Sequence, residues 1–275
     1  MDVKSELQKA GIGPDPLKDQ FFLVDENIIS KIAELADLTG NDVVLEIGAG
    51  VGNLTKELAK KAGRVLAFEI DERFKPFLDT LPQNVEVHIE DAHEYASQGG
   101  KFRKKKVYNK IVCNIPYSIG EWLFHNLPFV EYDRAILLVS KKFAESSKTN
   151  PVFSSFYKVE EKLEVPKEKF YPVPRTDSVV IDLVRLPNPI VTKDLALFLR
   201  QFIYQKEKWK AKNSIREGLI TYARLVFERK LTKNQARKII AQSDISKDLL
   251  ERPPDNAEIY QKVSEKISRE NLFSN

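Results

Sequence analysis

Apolar residues along this chain fall into two rhythms. Five short runs are rich in Val, Ile and Leu: "DVVLEIG" (42–48), "RVLAFEI" (64–70), "VEVHI" (85–89), "KIVCN" (110–114) and "RAILLV" (134–139). Their length and continuous hydrophobicity predict strands buried on both faces. Between them lie amphipathic pieces such as "NLTKELAKKA" (53–62) and "ERFKPFLDTL" (72–81), and the alternation predicts an α/β fold built on a parallel, doubly wound sheet. "FYKVEEKLEV" (156–165) and "SVVIDLVRL" (178–186) alternate with a period of two and are expected to close the sheet with an antiparallel edge. After "LPNP" (186–189) the pattern turns helical with no strand signal. The expected division is therefore an α/β domain over residues 1–187 and a small basic helical domain over 188–275.

Composition narrows the classes open to this chain. With 275 residues, 42% of them hydrophobic, it can bury a substantial core. No apolar run approaches the roughly 20 residues that span a bilayer, and the N-terminal "MDVKSELQKAG" is polar without a signal-peptide core. A cytoplasmic protein without membrane contact is expected. The single cysteine, Cys113, lies inside an apolar run, which fits a buried structural thiol and excludes an internal disulfide or a cysteine metal cluster. His88, His93 and His125 lack metal-site spacing and read as ordinary surface or core histidines, so no metal is expected. The net charge is only +4, yet residues 200–238 carry twelve Lys and Arg against three acids, and "KFRKKK" (101–106) adds five more cations. One such run is most simply a solvated face. Two in an otherwise balanced chain favour a polyanionic partner, with Lys104, Lys105, Lys206, Lys208, Lys210, Lys212 and Arg216 as candidate phosphate contacts.

Candidate chemistry clusters at the ends of the predicted strands. The first strand runs into "EIGAGVGNLT" (46–55), where glycines at 48, 50 and 52 permit a tight turn and close approach of backbone to ligand. This G-x-G-x-G spacing differs from the G-x-G-x-x-G dinucleotide fingerprint and suits a cofactor whose adenosine and amino-acid parts lie across the loop. Glu69 ends the second strand, where a carboxylate accepts from a ribose diol. Asp91 follows the third and can accept from an adenine amine, with Ala92 leaving room for the ring edge. The fourth strand delivers "NIPYSIGEW" (114–122). An exocyclic adenine nitrogen is a poor nucleophile because its lone pair is delocalised. The side-chain oxygen of Asn114 and the carbonyl of Ile115 or Pro116 can accept its hydrogens and favour a pyramidal nitrogen. Proline fixes the turn, and Tyr117 offers a stacking face for a base drawn out of its helix or loop.

Four segments, "DQFFLVD" (19–25), "EIGAGVGNLT" (46–55), "NIPYSI" (114–119) and "FYPVPRTDSVV" (170–180), together resemble the small-subunit ribosomal RNA adenine N6,N6-dimethyltransferase family, and more distantly the Erm-type ribosomal RNA methyltransferases. The resemblance implies a Rossmann-like class I methyltransferase sheet and S-adenosylmethionine as cofactor. It also implies adenine in the RNA of an immature small ribosomal subunit as substrate, and a monomeric protein. It places Gln20, Phe21, Leu23, Gly48, Gly50, Glu69, Ile70, Asp91, Ala92 and Asn114 about the cofactor. Asn114, Pro116, Tyr117 and Phe170 are implied in catalysis, with Tyr117 and Phe170 sandwiching the target adenine. Adding two methyls requires the amine to turn within its pocket, for which Gly120 leaves room. The chain departs from the family's usual pattern at Asp19 and Phe21, at Gly120 to Trp122, at Ser140 and Lys142, and through "YQKEKWKAKNSIREGL" (204–219). Two alternatives stand beside the enzyme reading: a non-catalytic RNA-binding assembly factor on the same fold, and an Erm-like enzyme acting on large-subunit RNA.

Overall fold

The structure, a computed structural model, describes residues 3–96, 107–150, 153–187, 192–206, 209–253, 262–263 and 266–267. The chain forms two compact units, one of residues 1–149 and 158–185, the other of residues 150–157 and 186–275.

In the first unit the described elements run in order as α1 (Val3–Lys9), β1 (Phe22–Leu23), α2 (Glu26–Leu35), β2 (Val43–Ile47), α3 (Asn53–Ala59) and β3 (Arg64–Glu69). They continue as α4 (Lys75–Leu78), β4 (Val85–Ile89), α5 (His93–Ala96), β5 (Lys110–Asn114), α6 (Gly120–Asn126) and β6 (Arg134–Ser140). The unit ends with α7 (Lys141–Thr149), β7 (Tyr157–Val165), β8 (Phe170–Tyr171) and β9 (Ser178–Arg185). All seven predicted strands are present within a residue or two of their expected ends, and they make one sheet in the order β4-β3-β2-β5-β6-β9-β7. The pairs from β4 through to β6 are parallel, while β9 runs antiparallel to β6. The central strands are buried on both faces: Val44, Leu45, Val65, Ala67, Ile111, Val112, Ala135 and Ile136 are inaccessible, which is why they read as unbroken apolar runs.

The chain leaves β2 toward β3 on one side and enters β5 on the other, so β2 and β5 flank the point where strand order reverses. Open parallel sheets bind ligands at such a crevice, beyond the carboxyl ends of the strands. The "ERFKPFLDTL" segment is less helical than its pattern suggests, comprising a single 3-10 turn (Glu72–Phe74) and the short α4. A two-stranded ribbon, β1 with β8, sets Leu23 opposite Phe170 in antiparallel register. It is extended by a hydrogen bond from the Val24 N–H to the Lys169 carbonyl (2.9 Å).

In the second unit the described residues from 192 onward hold α8 (Leu195–Tyr204), α9 (Ala211–Phe227), α10 (Lys233–Gln242), α11 (Lys247–Glu251) and no strand. The helices α8 and α9 pack closely at Gly218, where a Cβ would stand 2.8 Å from Leu199. Tyr222 is buried and donates its hydroxyl to the Lys193 carbonyl (2.6 Å). Reciprocal capping of α10 by Thr232 and Gln235 fixes where that helix starts.

Candidate active site

Past β2, the chain turns through Gly48 and Gly50 into α3. Gly48 has φ +80° and a Cβ there would lie 3.2 Å from Pro116; Gly50 has φ +56° and a Cβ would lie 3.0 Å from the Phe22 ring. Conformation and space therefore both require glycine. The Gly50 N–H donates to Glu69 Oε2 (2.7 Å), and the Asp71 N–H donates to Glu69 Oε1 (2.9 Å). Burial pushes the Glu69 carboxyl above its ordinary range, more than these backbone donors hold it down. Glu46, at the end of β2, is 2% exposed, and its Oε2 has no hydrogen-bond partner. Burial pushes its pKa up to about 8, and the neighbouring Glu69 carboxylate adds to the push.

Beyond β4, Asp91 accepts both the His93 backbone N–H (2.9 Å) and a contact from the His93 ring (2.6 Å). Burial works to raise its pKa, but the bonds from His93 and the charge of its ring outweigh that and hold the carboxyl below its ordinary value. The His93 ring lies against Trp122 at 3.9 Å between centroids. Ile70 is 69% exposed and Ala92 is buried, so the crevice has an open apolar edge beside its acids.

At the end of β5, the Asn114 amide donates from Nδ2 to the Phe21 carbonyl (3.2 Å). That bond occupies Nδ2 and leaves Oδ1 as the accepting end of the amide. The Ile119 N–H takes the Pro116 carbonyl (3.1 Å), whereas the Ile115 carbonyl accepts nothing from the described residues. Of the two carbonyls left open by the sequence, Ile115 is the unencumbered one. Tyr117 is 37% exposed and its ring lies 5.8 Å from that of Phe21. Asp19, at the position where the family usually has glycine, does adopt a left-handed conformation (φ +55°). Its carboxylate accepts the Ser118 N–H (2.7 Å), tying the N-terminal motif to the Asn-Ile-Pro-Tyr turn. Gln20 is occupied structurally: Oε1 accepts from the Asp15 N–H (2.8 Å) and Nε2 donates to Asp71 Oδ2 (2.8 Å).

These pieces converge on one cavity of about 280 Å³. Gln20, Phe21, Leu23, Gly48 and Gly50 line it from the N-terminal motif and the glycine loop, and Glu69, Ile70, Asp91 and Ala92 from the ends of β3 and β4. Asn114, Pro116, Tyr117 and Phe170 complete it. Among the other lining residues, Glu46, Asn53, His93 and Trp122 bear on the chemistry although the sequence assigned them no ligand role. Glu46 and Asn53 belong to the quoted glycine segment, but burial alone reveals their orphaned oxygens, Glu46 Oε2 and Asn53 Oδ1. His93 was read as an ordinary histidine, and its place two residues after Asp91 was the available signal. Trp122 carried no local signal, because only folding brings it to His93. One expectation is corrected: Gly120 does not line this cavity but a neighbouring one, because α6 begins there and directs it toward Phe143.

The basic candidates give a mixed picture. Lys104, Lys105 and the rest of the 101–106 run, together with Lys208, lie outside the described residues. Lys206 sits over the rings of Trp209 (5.4 Å) and Phe202 (6.0 Å). Lys210 and Lys212 both pair with Glu251 (3.1 and 2.5 Å), and Arg216 pairs with Glu217 (2.9 Å). Lys210, Lys212 and Arg216 thus already share their charge with acids of the same unit, whereas Lys206 lies over aromatic rings.

Acids at the ends of three successive parallel strands, a glycine loop at the switch point and an Asn-Ile-Pro-Tyr turn facing it define a Rossmann-like methyltransferase that uses S-adenosylmethionine. The family model described as ribosomal RNA adenine dimethylase matches residues 18–252, and the chain belongs to this family. Ribosomal RNA small subunit methyltransferase A of Thermotoga maritima is 32% identical over 256 residues, covering 87% of this chain and 88% of that protein. A probable ribosomal RNA small subunit methyltransferase A of Methanosarcina barkeri is 34% identical over 228 residues, covering 78% and 76%. Among solved structures, a dimethyladenosine transferase from Plasmodium falciparum shares the fold, with TM-score 0.55 and 23% identity over 88% of this chain and 95% of that one. The 23S rRNA methyltransferase ErmE does so with TM-score 0.51 and 22% identity over 90% and 99%.

Proposed function

We propose that this protein transfers two methyl groups from S-adenosylmethionine to the N6 amine of adenine in small-subunit ribosomal RNA, acting as a monomer on immature subunits in the cytoplasm. The observation that carries this reading is one cavity lined together by strand-end acids, the glycine loop and Asn114.

The residues present fit the cofactor. Its sulfonium and ammonium are cationic, and the cavity is lined by five carboxyl groups, Asp19, Glu46, Glu69, Glu90 and Asp91, against one lysine, Lys18. The buried oxygens Glu46 Oε2 and Asn53 Oδ1 lack donors, and an ammonium group supplies donors. Glu69 would hold the ribose diol through the lone pairs its backbone donors leave free. Asp91 would accept from the adenine amine, with Ile70 and Ala92 along the ring, and the bare backbone at Gly48 and Gly50 admits the amino-acid part. When bound, the cofactor supplies an electrophilic methyl carbon on sulfur.

The chain's own groups prepare the nucleophile. Asn114 Oδ1 accepts one amine hydrogen and the Ile115 carbonyl the other, drawing the nitrogen lone pair out of conjugation and stabilising its developing positive charge. Tyr117 and Phe170 stack on the target base and hold it in line, which lowers the barrier by positioning. Methylation would leave the nitrogen cationic and its proton acidic, held by Asn114 Oδ1 and the Ile115 carbonyl. The proton then passes from the acceptor oxygen to water without a strong base. Pro116, packed against Gly48, keeps the turn rigid.

The test is single-turnover transfer from labelled cofactor to immature small subunits, with mass spectrometry of digested RNA to count methyls per adenine. Asn114→Ala is expected to lower the transfer rate by about 100-fold or more while leaving RNA affinity within a few-fold, since phosphate contacts dominate affinity. Tyr117→Phe keeps the stacking face and most of the activity. Tyr117→Ala removes stacking worth about 1 to 3 kcal/mol and loses most of it. A protein that binds cofactor and subunit yet methylates no adenine would defeat the reading.

A further inference from the structure

Ile115, Pro116 and Tyr117 form part of two cavities. One is the acid-rich site just described; the other, about 220 Å³, is completed by Gly120 at the start of α6, Val139 and Ser140 at the end of β6, and Lys142, Phe143 and Ser146 on α7. The two differ sharply in charge, since the second contains no carboxylate and one lysine. A cationic cofactor has no counter-charge there, whereas an anionic chain meets no repulsion.

The second cavity also carries two aromatic rings in its lining, Tyr117 and Phe143. The Phe143 ring is half-buried and held edge-on by Phe124 (5.0 Å, 88° between planes). Its backbone is fixed by the Phe143 N–H donating to Ser140 Oγ (3.2 Å), which leaves the Ser140 hydroxyl proton free to donate elsewhere. Val139 is buried and supplies an apolar wall, while the exposed Ser146 supplies a hydroxyl. On α7, Lys141 pairs with Glu164 (3.0 Å) and Lys148 with Glu161 (2.7 Å). Lys142, the lysine that reaches this cavity, is exposed and makes no ion pair among the described residues. An aromatic slot with hydroxyl donors and one uncommitted cation is the chemistry that receives a nucleotide: ring in the slot, phosphate on the lysine.

From this we infer that the second cavity holds the nucleotide covalently next to the target adenine, so that the Asn-Ile-Pro-Tyr turn separates two splayed neighbouring bases with Tyr117 as the shared wall. The inference rests on the adenine methyltransferase reading above and adds a binding site to it. Such a site would select sequence context without touching the reacting amine.

Ultraviolet crosslinking of the unmodified protein to immature subunits, followed by mapping of both the crosslinked nucleotide and the methylated adenine, tests the inference. The peptide containing Phe143 is expected to carry the nucleotide immediately 5′ or 3′ of the adenine that becomes methylated. Two variants give an independent measure. In Gly120→Leu the new side chain enters the space toward Phe143, where a Cβ would already stand 3.4 Å from that ring. It is expected to raise KM for the subunit at least about 10-fold, the scale of one lost base stack, with cofactor affinity unchanged by calorimetry. Lys142→Gln is expected to raise KM several-fold with kcat unchanged and to reduce the salt dependence of RNA binding by one phosphate contact. Crosslinks from Phe143 only to distant nucleotides, or unchanged KM in both variants while methylation proceeds, would overturn the inference. Absence of methylation by the unmodified protein would instead remove the reading on which it rests.

Discussion

Glu46 shows how one buried side chain ties stability to ligand binding. Its carboxyl, ordinarily near 4.5, titrates at about 8 in the folded chain because burial penalises the charged form. The folded state therefore holds a proton that the unfolded state releases between these values. Stability contributed by the neutral form is complete below about 4.5 and is lost as pH rises through about 8. In Glu46→Gln this slope should be absent, so the difference in midpoint between the two proteins should shrink or reverse as pH rises from 5 to 8 in thermal melts. A cofactor ammonium beside the carboxyl would favour the anion and expel the proton. Calorimetry at pH 7 in buffers of different ionisation enthalpy should accordingly show release approaching one proton on S-adenosylmethionine binding, and none in the variant. Equal proton release in both proteins would remove Glu46 from the ammonium site. This behaviour was not legible in the sequence, where Glu46 is simply the acid before a glycine loop; the pKa depends on near-complete burial beside Glu69, which no local pattern reports.

At the scale of elements, legibility followed length and burial. The seven sheet strands could be read because each is a run of five or more residues with a legible pattern, continuous and apolar where both faces are buried and alternating where one face is exposed, as in β7. The β1 and β8 strands could not, because two residues carry no period; they are strands only through each other. Yet this ribbon sets Leu23 and Phe170 on the cavity wall, and it is clamped by Asp25, which caps α2 at the Ile28 N–H (3.1 Å) and pairs with Lys169 (2.5 Å). The Lys169 hydrogen bond is the main reason the Asp25 carboxyl lies below its ordinary 3.8. The sign is opposite to that of Glu46: the stabilisation is present above 3.8 and is lost as pH falls through the depressed folded value. Asp25→Ala should cost about 1 kcal/mol at pH 7, the usual worth of an N-cap. It should also loosen cofactor binding through Leu23, and its stability deficit should shrink as pH is lowered toward 3. Urea titrations at the two pH values measure both effects, and a deficit independent of pH would exclude the carboxylate as its source.

At the scale of the whole molecule, the chain combines a cavity rich in carboxylates with a segment rich in cations, and these answer to different partners. The catalytic sheet is governed by burial and hydrogen bonding, so its binding of a small cofactor should vary little with salt. The segment from 200 to 238 is governed by screened charge, so its binding to RNA should fall steeply as salt rises. The local pairing adds something that counting charges missed. Glu251 holds both Lys210 and Lys212, and exposed pairs of this kind contribute little to stability. A phosphate that engages either lysine must displace that carboxylate. Glu251→Gln should therefore leave the fold intact, strengthen RNA binding at low salt, and steepen the plot of log affinity against log salt. Reversing Lys210 and Lys212 to Glu should flatten the same plot by about 0.7 to 0.9 per lost phosphate contact. Fluorescence anisotropy with fragments of small-subunit RNA across a salt series reads the slopes, and calorimetry with cofactor supplies the control. If neither change moves the slope, these lysines are solvated faces of the helical unit and the RNA is held elsewhere on the chain.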